Sequence, residues 1–108
     1  MKQYTTPEQT AKLIELGYFR PALSCIPPFG GREEIIRNPF SIGELLSFLP
    51  KSIKVNDLFF TLCIHSSNDY WIVEYADIAF GTQARLYKEE LIDALFAEIV
   101  ILKEEGVI

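Results

Sequence analysis

Cys63 and His65 stand two residues apart in an alternating apolar run, Leu58 to Asp77, that reads LFFTLCIHSSNDYWIVEYAD. In an extended chain both side chains leave the same face, with Cα atoms about 6.5–7 Å apart. A thiol and an imidazole within that reach can form a nucleophilic pair, the imidazole taking the thiol proton. Such chemistry also needs a group that orients the base and a site for the developing oxyanion, and no pattern in the chain supplies either. A packing cysteine and a partly exposed histidine near a turn are the plainer expectation. His65 is the only histidine, which excludes zinc sites built on several histidines, and Cys25 and Cys63 lack metal-ligand spacing. No metal and no cofactor are expected.

Other chemical motifs are weaker. Gly30-Gly31-Arg32 resembles a phosphate cradle only superficially, because no Lys-Ser or Lys-Thr pair follows it. The neighbouring acids Glu33-Glu34, Glu89-Glu90 and Glu104-Glu105 diverge by about 100° on a helix, which makes them poor acid–base or metal pairs. Glu89 and Asp93 share a face at i,i+4, but no further oxygen ligands lie nearby in sequence.

A binding role has better support in the residues. Tyr18 to Pro39 is a long connection with four prolines and a Gly-Gly pair. Connections beyond about 12–15 residues are uncommon in compact domains and are often functional. Phe29, between Pro27-Pro28 and Gly30-Gly31, is placed to anchor a partner with Arg32 beside it; the alternative is that Ala22–Ile26 and Glu34–Ile36 are short strands or turns and Phe29 folds back onto the core. Phe59, Tyr70 and Ile72 leave the hairpin on the same side as Cys63 and make its second face apolar too. Phe29, Arg32, Phe59, Tyr70 and Ile72 are therefore the expected partner-binding set, with Cys63 and His65 as the alternative reactive pair.

These residues need elements to hold them. With Ser66-Ser67-Asn68-Asp69 as the turn, Ile64 meets Trp71, Leu62 meets Val73 and Phe60 meets Tyr75, giving one strongly apolar face that must be covered. Thr6, Pro7 and Gln9 announce a first helix, and Gly17 is placed to end it. Ser41 and Glu44 form a second capping box, with Phe40 and Leu45 as a hydrophobic staple, and Pro50 stops that helix. Ile53 begins a short extended stretch, and a weak strand pattern follows the turn-like Ala79–Thr82. In the last helix Leu91, Ile92, Leu95, Phe96, Ile99 and Leu102 fill an arc of about 140°, with Glu90, Glu98, Glu104 and Glu105 outside it. Ile101 and Val100 lie beyond that stripe or at its rim and read as exposed apolar surface. The expected fold is a single α+β domain over residues 1–108. A small antiparallel sheet (hairpin 58–65/70–77, extended by a third strand near 83–86) packs against helices 7–16, 42–48 and 88–105, the last covering the apolar face.

The chain of 108 residues is 49% apolar and carries a net charge of −5. Residues 1–56 hold +2 and residues 57–108 hold −7, a balance that disfavours nucleic acid as a partner. No apolar run approaches a membrane span, and MKQYTTPEQT lacks the apolar stretch of a signal peptide. A cytoplasmic protein with reduced thiols and no membrane partner is expected. TPEQTAKLIELG, FSIGELLSFLP, WIVEYAD and LKEEGVI resemble segments of small uncharacterised proteins of gut anaerobic bacteria, often associated with phage or mobile elements. That resemblance implies a setting and assigns no residue a role. The leading functional expectation is a non-enzymatic protein–protein interaction module. The alternatives are a small-ligand protein or minor enzyme using Cys63 and His65, and a self-associating structural component.

Overall fold

The computed structural model describes residues 2–18, 39–77, 79 and 81–108. Its elements follow the local signals closely. Helix α1 (Pro7–Glu15) opens on a complete capping box, in which the Thr6 hydroxyl accepts from the Gln9 N–H while the Gln9 side chain accepts from the Thr6 N–H. It ends in a Schellman turn: Gly17, at φ +97°, lets its own N–H reach Ile14 O and the Tyr18 N–H reach Leu13 O. Helix α2 (Ile42–Phe48) has the same kind of start from Ser41 and Glu44. Its staple residues Phe40 and Leu45 are both buried in the core. Each such cap contributes about 1 kcal/mol.

Strands β1 (Ser52–Val55), β2 (Leu58–Ser67), β3 (Tyr70–Asp77) and β4 (Gly81–Lys88) form one antiparallel meander in sequence order. Asn56 and Asp57 join β1 to β2 with φ of +52° and +66°, the paired left-handed residues of a two-residue hairpin turn. This completes the strand of which only the start at Ile53 is legible locally. The β2–β3 register differs from expectation. Every partner lies two residues further along β3, so Ile64 meets Val73, Leu62 meets Tyr75 and Cys63 meets Glu74. The loop is Asn68-Asp69, with Asn68 at φ +55°, a conformation asparagine tolerates better than most residues. A shift of two preserves the side-chain alternation, so the division of residues between the faces is as expected.

β4 is longer than the 83–86 anticipated and carries a bulge. Glu74 faces both Ala84 and Arg85, because the β3–β4 register shifts between Val73 and Tyr75. Ala84 takes φ +51° there. Since Lys88 still pairs with Trp71, the last helix, α3 (Leu91–Glu104), begins three residues later than expected and leaves Glu89 outside it. Asp93 in its first turn receives the Lys2 ammonium at 3.0 Å and the Gln9 amide at 2.9 Å, so the Glu89–Asp93 face does not form. α3 ends at Gly106 in a second Schellman turn, with Val107 N–H on Leu102 O.

α3 packs on β3, β4 and α2, as its broad apolar stripe requires. The core joins Phe60, Val73 and Tyr75 of the sheet to Leu13, Leu45, Leu95, Ile99 and Leu102 of the helices. Glu98 corrects the expected wheel. It is 0% exposed, and at 100° per residue it lies only about 20° from Leu91, inside the stripe that α3 buries. Its ionisable type, not its position, argued for the solvent side. Val100 and Ile101 are half-buried rather than exposed, with Ile101 lining a cavity against Ile53, Val55 and Ala84. Among the described residues no helix is long and apolar enough to cross a membrane.

Candidate functional site

The helices gather on one side of the sheet. The other side is built from alternate residues of each strand: Lys54 of β1, Phe59 to His65 of β2, Tyr70 to Ala76 of β3, and Arg85 and Tyr87 of β4. At its centre Glu74 is buried although it faces away from the helices. Arg85 Nε lies 2.8 Å from one carboxylate oxygen, off the axis of a directed hydrogen bond, and His65 Nε2 lies 3.3 Å from the other. A carboxylate largely removed from water needs such partners, since an uncompensated buried charge costs several kcal/mol. The bulge at Ala84 restores the alternation that brings Arg85 over Glu74.

Around this charged centre stand the aromatic side chains. Phe59 is 63% exposed, Tyr70 47% and Tyr87 53%. The Lys54 ammonium lies 5.8 Å from the Phe59 ring centre, and the Arg85 guanidinium 5.2 Å from that of Tyr87, distances at which a cation is attracted to a π face. Ile72 is a correction to the expected contact set. It belongs to this face but is only 3% exposed, because His65 and Tyr87 flank it from the neighbouring strands. It supports the surface from beneath.

Cys63 and His65 share the face and turn to different partners. Cys63 Sγ lies 3.5 Å from the Thr61 carbonyl oxygen, whereas His65 is engaged with Glu74. No thiol–imidazole contact exists. Beside Cys63 is a depression of about 380 Å³ lined by Thr61, Ala76 and Asp77. Phe29 and Arg32, together with Cys25 and the Gly30-Gly31 pair, lie outside the described residues. Among the described residues no cluster of three or more His, Cys, Asp or Glu side chains is placed to hold a metal.

A second polar cluster lies inside the molecule. Among the described residues neither carboxylate oxygen of Glu98 has a hydrogen-bond partner. Burial, with smaller contributions from Glu105 and Glu74, pushes its carboxyl up to about 8. Nearby, Tyr75 donates to the Pro50 carbonyl at 2.8 Å. Burial first, then Glu98 and Tyr18, holds the Tyr75 hydroxyl far above its ordinary range. Tyr18 stacks on Phe48 and is itself pushed up by burial.

Arg85 and Tyr87 escaped sequence reasoning, since β4 carried only a weak pattern and Ala84 interrupts its alternation. The available signal was the continuation of that pattern through Arg85, Leu86 and Tyr87 to Lys88. No family model, curated protein or solved structure matches the chain.

Proposed function

We propose that the protein is a non-enzymatic interaction module that binds a protein partner through the open face of its sheet. One observation carries this reading: Phe59, Tyr70 and Tyr87 all stand exposed on the face opposite the helices, around the paired Glu74. Exposed aromatics on a rigid sheet offer large contact area at low entropic cost, and Tyr and Arg are enriched at binding hot spots. The phage or mobile-element setting implied by the sequence resemblance, and a cytoplasmic location, belong to the same proposal.

The test compares immobilised wild type with a Tyr70→Ala/Tyr87→Ala variant in lysate of a gut anaerobe. Bound proteins are identified by mass spectrometry, and circular dichroism verifies the variant's fold. A specific partner held by the wild type and lost by the folded variant supports the reading. Identical captures by both remove the sheet face from it.

The depression beside Cys63 favours a second reading, a small-ligand role centred on Cys63 and His65. Cys63→Ser distinguishes the two: it abolishes function with partner capture intact only if the ligand role holds.

A further inference from the structure

β1 is an edge strand, paired only with β2 among the described residues. The hairpin determines which of its polar groups face outward. Val55↔Leu58 closes a two-residue loop and is hydrogen-bonded, and bonded and non-bonded pairs alternate from there. Val55, Ile53 and Lys51 therefore aim their N–H and C=O groups at β2, in agreement with the 2.9 Å bond from Leu62 N–H to Lys51 O. Ser52 and Lys54 aim theirs away from the sheet. Both residues also line a cleft of about 580 Å³, whose other walls include Tyr18, Phe48, Val107 and Ile108.

The cleft and its rim have complementary chemistry. The walls from α2, Tyr18 and the chain end offer the apolar surfaces of Phe48, Val107 and Ile108 beside the polar Ser47, whereas the rim carries Lys54 and, next to Ser52, the exposed Lys51. Lys54 meets Asp57 at 3.5 Å, with side-chain exposures of 57% and 94%, a surface pair too weak to occupy it. A basic rim on a chain of net charge −5 favours an acidic visitor. It disfavours a second copy, because β1-to-β1 pairing would gather the lysines of both chains along one seam.

We propose that the β1 edge accepts an extended peptide strand of alternating apolar and acidic residues from another protein. The strand continues the ladder through the outward N–H and C=O groups of Ser52 and Lys54. Its side chains alternate between the two sides of the sheet. Those on the helix side enter the cleft beside Phe48 and Tyr18, and those on the other side meet Lys54. This edge shares Lys54 with the aromatic sheet face but not Tyr70 or Tyr87, so loss of capture in the Tyr70→Ala/Tyr87→Ala variant and loss of peptide binding in the Lys54 variants are distinguishable outcomes.

The test titrates the ¹⁵N-labelled full chain with the capped hexapeptide acetyl-Thr-Val-Glu-Val-Glu-Thr-amide, and in parallel with its Val/Lys counterpart. The expected result is saturable binding of the Val/Glu peptide at least tenfold tighter than the Val/Lys peptide. The amide signals of Ser52 and Lys54 shift and their hydrogen exchange slows. Lys54→Glu inverts the preference, and Lys54→Gln abolishes it without disturbing the remaining spectrum. Several results would overturn the proposal: no binding at millimolar peptide, an unchanged preference in Lys54→Glu, or shifts centred elsewhere. So would protection of the Ser52 and Lys54 amides in the free protein, or a dimer in sedimentation that the peptide dissociates, which would make a second copy the occupant.

Discussion

Glu98 should make the protein less stable as the pH rises. The carboxyl titrates at about 8 when folded, against an ordinary value of 4.5. Because the folded state holds this proton more tightly, unfolding releases it, and each rise in pH within that window favours the unfolded chain. The stabilisation is complete below about pH 4.5, where both states are protonated, and is lost as the pH climbs through about 8. The difference between the two values, at about 1.4 kcal/mol per pH unit, gives a loss of about 5 kcal/mol, of which about 3 kcal/mol has accrued by pH 7. Small domains are stable by only about 5–15 kcal/mol, so the effect is large. The groups acting on Glu98 are Glu105 and Glu74, both acids, and the Tyr75 hydroxyl is coupled to it in turn. Asp93 works in another window. Burial pushes it up, but hydrogen bonds from Gln9 and Lys2 and the nearby Lys2 and Lys88 charges bring it below 3.8. Its contribution is lost only in acid. Urea unfolding of wild type and Glu98→Gln at intervals from pH 5 to pH 9 isolates the effect, since the amide cannot ionise. The gap between the two proteins should move by about 4 kcal/mol across that range, since the first part of the loss has already accrued by pH 5, with the wild type losing ground. A constant gap, or a wild type that gains stability toward pH 8, would refute the reasoning and indicate an ionised Glu98 with a partner.

Two further perturbations test the open face and its bulge. Arg85→Ala leaves the buried Glu74 carboxylate with His65 alone and should cost roughly 1–3 kcal/mol in chemical denaturation. Glu74→Gln removes the charge itself and should cost less; the reverse order would show that the ion pair is not what stabilises Glu74. Ala84→Val improves strand propensity yet should lower stability by about 1–2 kcal/mol, because a β-branched residue is strained at positive φ. A higher melting temperature for that variant would mean a regular strand runs through Ala84.

Legibility followed the range of each physical cause. Thr6, Ser41, Gly17 and Gly106 act within one helical turn, so caps and stops could be read directly, and the structure forms all four. The division of the hairpin between its faces was equally readable, since it depends only on alternation. Its register was not. Moving the loop from Ser67-Asn68 to Asn68-Asp69 shifts every partner by two and leaves the alternation intact, so burial cannot distinguish the alternatives. The candidate site was half visible. Phe59 and Tyr70 were placed on the open face, whereas Ile72 proved to be buried support and Phe29 and Arg32 fall outside the described residues.

What the sequence determined by itself is the α+β class, the helix boundaries set by local caps, and the two-faced character of the hairpin. Each rests on side chains acting on backbone a few residues away. Tertiary structure alone decided that Glu74 lies between His65 and Arg85, that Glu98 faces the core with no hydrogen-bond partner among the described residues, and that the Ser52 and Lys54 edge opens on a cleft. Those outcomes depend on which strand lies beside which and what α3 covers, interactions between residues far apart in the chain.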